Sequence, residues 1–180
     1  MIGLVLSGGG ARGAYQVGVL KTVAEVCERW GLENPFAIIN GVSAGAINAA
    51  KLASYQKNIS ESIYQLEQLW SRLRSEDIFL TDAGSLGKIG LKLFGKLSLG
   101  GLMGVEEGQS LLDTTPLQKL LTQEINYQQI DDNIKQGKVH ALCISALDYK
   151  YSILTSFVHC HKNVPLWQKP RKVAEVTQIT

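Results

Sequence analysis

Twice in its first 55 residues the chain runs from a short apolar stretch into a glycine turn and then into a helical pattern. Ile2-Gly3-Leu4-Val5-Leu6 breaks at Ser7-Gly8-Gly9-Gly10, and Phe36-Ala37-Ile38-Ile39-Asn40 breaks at the Gly41–Gly45 turn. Nearly continuous apolar runs of this length fit strands buried on both faces, and a helix between two of them makes the strands parallel. That helix is expected over Ala14–Trp30. Val19, Val23, Val26 and Trp30 recur at three and four residues, Val17, Leu20, Ala24 and Cys27 widen the stripe, and Gly31 supplies the stop. Ala46, Ile47, Ala49, Ala50 and Leu52 predict a small-residue helix after the second turn. The fold class is therefore α/β, with a mainly parallel central sheet and its functional loops at the strands' carboxyl ends.

Further along, residues 59–73 predict an amphipathic helix with Ile63, Leu66, Trp70 and Leu73 on one face. Thr114-Thr115-Pro116 reads as a helix start with Leu117, Leu120 and Leu121 turned inward. Val139–Leu147 and Tyr151–Phe157 read as a hairpin around Asp148-Tyr149-Lys150, with one alternating face. At 180 residues and 45% apolar side chains, one domain over 1–180 is the expectation. A net charge of +2 argues against a nucleic-acid partner. Cys27, Cys143 and Cys160 are odd in number and widely spaced, as reduced cytosolic thiols are. The start lacks a basic n-region, and no apolar stretch nears the roughly 20 residues of a membrane span. A cytoplasmic protein is expected, with contact to a membrane surface left open.

The chain's 18 glycines cluster at 3–18, 41–45 and 84–108. Gly41-Val42-Ser43-Ala44-Gly45 is a G-x-S-x-G between a strand and a helix, the context of a nucleophile elbow. On a sharp strand-to-helix turn a Cβ at either flanking position would collide with backbone, and the helix N-terminus favours an oxyanion there. The competing reading is that Ser43 merely caps the helix. Gly8-Gly9-Gly10-Ala11-Arg12-Gly13 also fits two templates. One is the dinucleotide fingerprint with a pyrophosphate at the helix N-terminus, and the other is a set of backbone N–H groups forming an oxyanion hole that faces Ser43. The nucleotide template asks for an acidic residue at the end of the second strand, where this chain has Asn40, while Glu33 precedes that strand.

Together, Ser7–Gly18 and Gly41–Ala50 resemble the patatin-like phospholipase family, and Ile144-Ser145-Ala146-Leu147-Asp148 is similar to a later family segment. The resemblance implies a three-layer α/β/α fold and a serine-dependent lipid acyl hydrolase working through a Ser-Asp dyad without a cofactor. Carried over by position, Ser43 is the nucleophile within the elbow Gly41–Gly45, and Gly8, Gly9, Gly10, Arg12 and Gly13 form the oxyanion-hole loop. The implied partner is a phospholipid or another acyl ester. The family's dyad aspartate lies in an Asp-Gly-Gly or Asp-Gly-Ala, and this sequence has no Asp-Gly at all. Asp82-Ala83-Gly84 comes too early, and Asp148 reads as a turn residue. The dyad Asp is thus absent, the domain is expected to be incomplete at its C-terminus, and the chain is expected to be inactive or nearly so. A nucleotide-binding module on the Gly8–Gly13 loop, or a noncatalytic lipid- or partner-binding form, are the alternatives.

A Ser-His-Asp arrangement would need one of His140, His159 or His161, and the Ser–acid–His order admits His159 or His161 with Asp113 or Asp148, but the serine comes too early in the chain for an α/β-hydrolase. His159-Cys160-His161 lacks a further ligand pair at zinc spacing, so no metal is expected. Residues 84–104 place Lys88, Lys92 and Lys96 opposite Leu86, Ile89, Leu93 and Leu97 if helical, an arrangement suited to a lipid surface or a lid. An ordinary surface helix or loop is the plainer reading.

Overall fold

The computed structural model describes residues 1–55, 58–79, 114–148, 151–161 and 168–179. The chain divides into two compact units, Met1–Arg72 with Glu124–Thr180, and Leu73–Gln123. The first unit holds strands β1 (Ile2–Leu6), β2 (Phe36–Val42), β3 (Ala141–Asp148), β4 (Ile153–Cys160), β5 (Gln168–Lys169) and β6 (Lys172–Val176) in one sheet ordered β1-β2-β3-β4-β6-β5. The pairs β1/β2, β2/β3 and β4/β6 are parallel, and β3/β4 and β5/β6 are antiparallel. Helices α1 (Gly13–Arg29), α2 (Ala44–Ser54) and α3 (Ile59–Arg72) follow the first two strands; α4 (Thr115–Glu124) and α5 (Tyr127–Lys135) precede β3. With helices on both sides of a mostly parallel mixed sheet, the expected α/β fold is the one observed.

The core sits where β2 meets β3. Ile39 and Leu142 are cross-strand partners, both fully buried, and burying side chains of this kind contributes about 1.5–3 kcal/mol each. α2 packs on β2, and α1 on α3. The buried face of α1 is Gly13, Val17, Leu20, Ala24 and Cys27, while Val19, Val26 and Trp30 are exposed. This reverses the weighting drawn from the sequence. Two apolar stripes with helical spacing are interleaved on α1, and the one with small residues turns inward because it lets helices approach closely. On α3 the apolar buried face is Ile59, Ile63, Leu66 and Leu69, with Trp70 half-buried beside it.

The β3–β4 hairpin forms as expected, but β3 has no alternating face. Ala141, Leu142 and Cys143 are buried in succession and Ala146–Asp148 are exposed, because the start of β3 is covered on both faces and its end projects beyond the covering elements. Neither α5 nor the β5–β6 hairpin was anticipated. α5 carries buried Ile130 and Ile134 four residues apart behind an Asn126 cap, whose side chain accepts from the Gln129 N–H at 3.0 Å. The second unit contains a 3-10 turn at Ser75–Asp77 and all of α4 but its last residue. Residues 84–104, Asp82 and Asp113 lie outside the described residues. Among those described, no helix is long and apolar enough to cross a membrane.

Candidate active site

β2 delivers Ser43 to an exposed position immediately before α2, with φ 52° and ψ −124°. Few residues with a Cβ adopt such a backbone, and the strain persists only where the surroundings impose it. Here the imposing atoms are identifiable. A Cβ on Gly41 would lie 2.4 Å from the Gly45 carbonyl oxygen, and one on Gly45 would lie 2.2 Å from that of Leu6. Both obstacles are backbone, which cannot swing aside as a side chain can. The Ser43 carbonyl accepts the Ala46 N–H at 2.8 Å, but its hydroxyl makes no capping bond to the helix. Ser43 therefore occupies the cap position without doing a cap's work, and the plain capping reading fails.

The glycine loop after β1 lies directly against this turn. A Cβ on Gly8 would sit 3.1 Å from Ser43 Cβ and 3.9 Å from its Oγ. Gly9 backs onto the Arg12 side chain, and the Gly9 carbonyl accepts the Arg12 N–H at 3.2 Å in the 3-10 turn Gly10–Arg12. Gly10 turns with φ +56°, and among the described residues no heavy atom outside its chain neighbours lies within 4 Å of the position a Cβ there would take. Arg12 is exposed, and Gly13 is buried where α1 begins. The two motifs, some thirty residues apart in the chain, thus become neighbours because β1 and β2 pair in parallel with Leu6 level with Gly41.

A polar network missed in the sequence holds this arrangement. Asn48 of α2 is fully buried; its amide donates to the Gly13 carbonyl at 3.1 Å and to Gln16 Oε1 at 3.0 Å, while its Oδ1 accepts from Trp70 Nε1 at 2.7 Å. Gln16 Nε2 in turn donates to the Ser7 carbonyl at 2.8 Å. One amide thereby joins α1, α2 and α3 to the start of the glycine loop. The available signal was a single Asn in the small-residue, apolar first two turns of α2, together with an indole whose N–H needs an acceptor once its ring packs inward. A second connection starts from the nearly buried Lys51. Its Nζ donates to Glu124 Oε2 at 3.1 Å and to the Glu124 carbonyl at 2.7 Å, and Arg72 bonds the other carboxylate oxygen at 2.5 Å.

The histidines belong to the opposite end of the sheet. His159 is level with Leu142, which is level with Ile39, four residues before Ser43. Strand dimensions put it roughly 16 Å from Ser43, out of reach for proton transfer. Its Nε2 instead lies 3.4 Å from Asp131 Oδ1, and burial outweighs that carboxylate in pushing the imidazole pKa down. His161 Nδ1 bonds the Ile134 carbonyl at 2.8 Å, and His140 pairs through its backbone N–H with Ala37. Asp148 accepts the Tyr151 N–H at 3.1 Å, closing the hairpin turn as the sequence implied. Among the described residues no cluster of ligating side chains could hold a metal, and the three cysteines are free. Burial raises the Cys143 thiol pKa, the opposite of what a reactive thiolate needs.

A serine on a strand-to-helix elbow, set beneath a glycine loop on a mixed α/β sheet, is the arrangement associated with α/β serine hydrolases. The comparison with known families makes this specific: the patatin-like phospholipase profile matches residues 4–171, and the chain belongs to that family. Neuropathy target esterase sws of Drosophila willistoni is 42% identical over 71 residues, covering 39% of this chain and 4% of that protein. The protein of the same name from Drosophila melanogaster gives the same figures. The match thus spans a small fraction of these relatives' length. No solved structure matches this chain.

Proposed function

We propose that the chain carries the serine half of a lipid acyl hydrolase site, with Ser43 as nucleophile. The observation carrying this reading is the pairing of an exposed, strained, uncapped Ser43 with Gly8 packed against its Cβ. In the proposed reaction Ser43 Oγ attacks an ester carbonyl of a phospholipid or similar substrate, and negative charge builds on the carbonyl oxygen. Backbone N–H groups of Gly8, Gly9 and Gly10, with the first turn of α2, are the donors for that charge. Arg12 and Gly13 complete the loop. Collapse of the tetrahedral species breaks the ester C–O bond and expels the alcohol, which takes up the proton that the Ser43 hydroxyl gave up on attack. Water then cleaves the acyl-enzyme, its hydroxyl going to the fatty acid and its proton restoring Ser43 Oγ–H.

Proton transfer needs a base, and the sequence has no Asp-Gly-Gly or Asp-Gly-Ala to supply the dyad aspartate. His159 and His161 are engaged elsewhere. The 180-residue chain is therefore proposed to lack Ser43-dependent turnover. The nucleotide reading gains no support, since β2 ends in Asn40-Gly41-Val42 without an acid for a ribose.

Two measurements separate the parts of this proposal. Prolonged incubation with a fluorophosphonate, followed by peptide mapping, should place the adduct on Ser43 and lose it in Ser43→Ala; an adduct elsewhere, or none, overturns the site. Hydrolysis of a p-nitrophenyl ester should be the same for the parent and Ser43→Ala. Turnover that disappears in the variant overturns the missing-base argument and leaves the site standing.

A further inference from the structure

The strand register sets two hairpin tips beside the Ser43 end of the sheet. Val42, the last residue of β2, is level with Ser145 of β3, Ser156 of β4 and Ala174 of β6. Two residues further out, on the Ser43 side, the row runs Leu147, Leu154, Lys172 and Lys169. The β3–β4 and β5–β6 turns therefore both project at the end where β2 releases Ser43. They are tied to each other, since the Leu154 N–H donates to the Arg171 carbonyl at 2.9 Å. With strands about 4.8 Å apart, β6 stands roughly 14 Å from β2.

The chemistry of these tips is unusual for a surface that faces only water. Leu147 is 49% exposed and Tyr151 63% exposed, beside the exposed run Lys169-Pro170-Arg171-Lys172. Among the described residues none of these three cations forms an ion pair. Asp148, the carboxylate at this end of the hairpin, is engaged with the Tyr151 N–H. Exposed cations beside an exposed aliphatic side chain and a tyrosine match an interface with phosphate on its surface and hydrocarbon beneath it.

We propose that this end of the sheet docks on an anionic lipid bilayer. Lys169, Arg171 and Lys172 meet the headgroup phosphates, and Leu147 and Tyr151 enter the interface. Docking in this orientation turns Ser43 and the Gly8–Gly13 loop toward the same surface. Its purpose rests on the hydrolase reading above, but its test does not involve turnover.

The test is co-sedimentation of the full chain with vesicles of phosphatidylcholine alone, or of phosphatidylcholine with about one-third phosphatidylglycerol, at low and high salt. The parent is expected to bind the anionic vesicles and to be released by salt. Lys169→Gln/Arg171→Gln/Lys172→Gln should weaken that partitioning on the order of a hundredfold, about fivefold for each cation near an anionic surface. Leu147→Ser/Tyr151→Ser should weaken it while leaving the salt dependence in place. An unbound parent, a triple variant that partitions like the parent, or loss confined to Lys88→Gln/Lys92→Gln/Lys96→Gln each overturns the proposal. Urea midpoints equal to the parent's show that the variants are folded. Fluorophosphonate labelling of Ser43 in every variant keeps a failure of docking distinct from a failure of the hydrolase reading.

Discussion

The two ends of the sheet treat polar groups in opposite ways. At the carboxyl end of β2 an exposed serine is held at a positive φ, beside a glycine loop, with its hydroxyl unused by the helix it precedes. Toward the amino end, buried His159 faces Asp131, Asp131 bonds Lys135, and His161 is spent on a backbone carbonyl. A histidine beside an aspartate is the more conspicuous catalytic pair, yet here it forms part of the closed end. The difference teaches that strain together with openness marks the candidate site, whereas pairing together with burial marks architecture.

The largest expected break in this comparison is Gly45→Ala. It drives a methyl group into the Leu6 carbonyl, and a loss of about 3 kcal/mol or more in urea unfolding is expected. A stability near that of the parent would mean that β1 and α2 can separate freely and that the elbow is not sterically imposed. Next comes Asn48→Leu. Stranding the Trp70 N–H and removing the donor to Gln16 Oε1 should cost about 2–3 kcal/mol and slow fluorophosphonate labelling of Ser43. Labelling at the parental rate would separate the network from the site.

Ser43→Gly should move stability in the other direction, by about 1 kcal/mol of stabilisation, because glycine adopts this φ and ψ without strain. Destabilisation instead would show that the serine side chain holds the turn together. The smallest effect is expected at the closed end. Burial lowers the His159 pKa from its ordinary 6.5, so the unfolded chain takes up a proton that the folded chain refuses. The His159 contribution is therefore flat above that value, and stability falls as pH drops from about 6.5 toward the folded pKa. His159→Gln should flatten this part of the stability–pH curve, measured by urea midpoints; an unchanged slope would assign it to other groups. The Asp131 carboxylate, held low chiefly by its Lys135 hydrogen bond, acts in a separate window below its ordinary 3.8.

Most of the α/β framework was legible because it rests on local patterns. Apolar runs ended by glycines located β1 and β2, helical spacing located α1, α2 and α3, and the turn around Asp148 located the β3–β4 hairpin. Which stripe of α1 faces inward was not legible, since Val19, Val26 and Trp30 repeat as regularly as Val17, Leu20, Ala24 and Cys27. The β5–β6 hairpin escaped notice because its strands are short and its residues largely polar. Asn48 and Trp70 passed as helix filling because their partners are remote in sequence.

By itself the sequence determined the α/β alternation, the two glycine turns and the position of Ser43 between a strand and a helix, all set by residue type over a few neighbours. Only the tertiary structure decided that Gly8 lies against Ser43, that His159 belongs to Asp131, and that the tips carrying Leu147 and Lys172 share the serine's end of the sheet. Those outcomes depend on strand order and register, which emerge from packing between distant segments and leave little trace in any one of them.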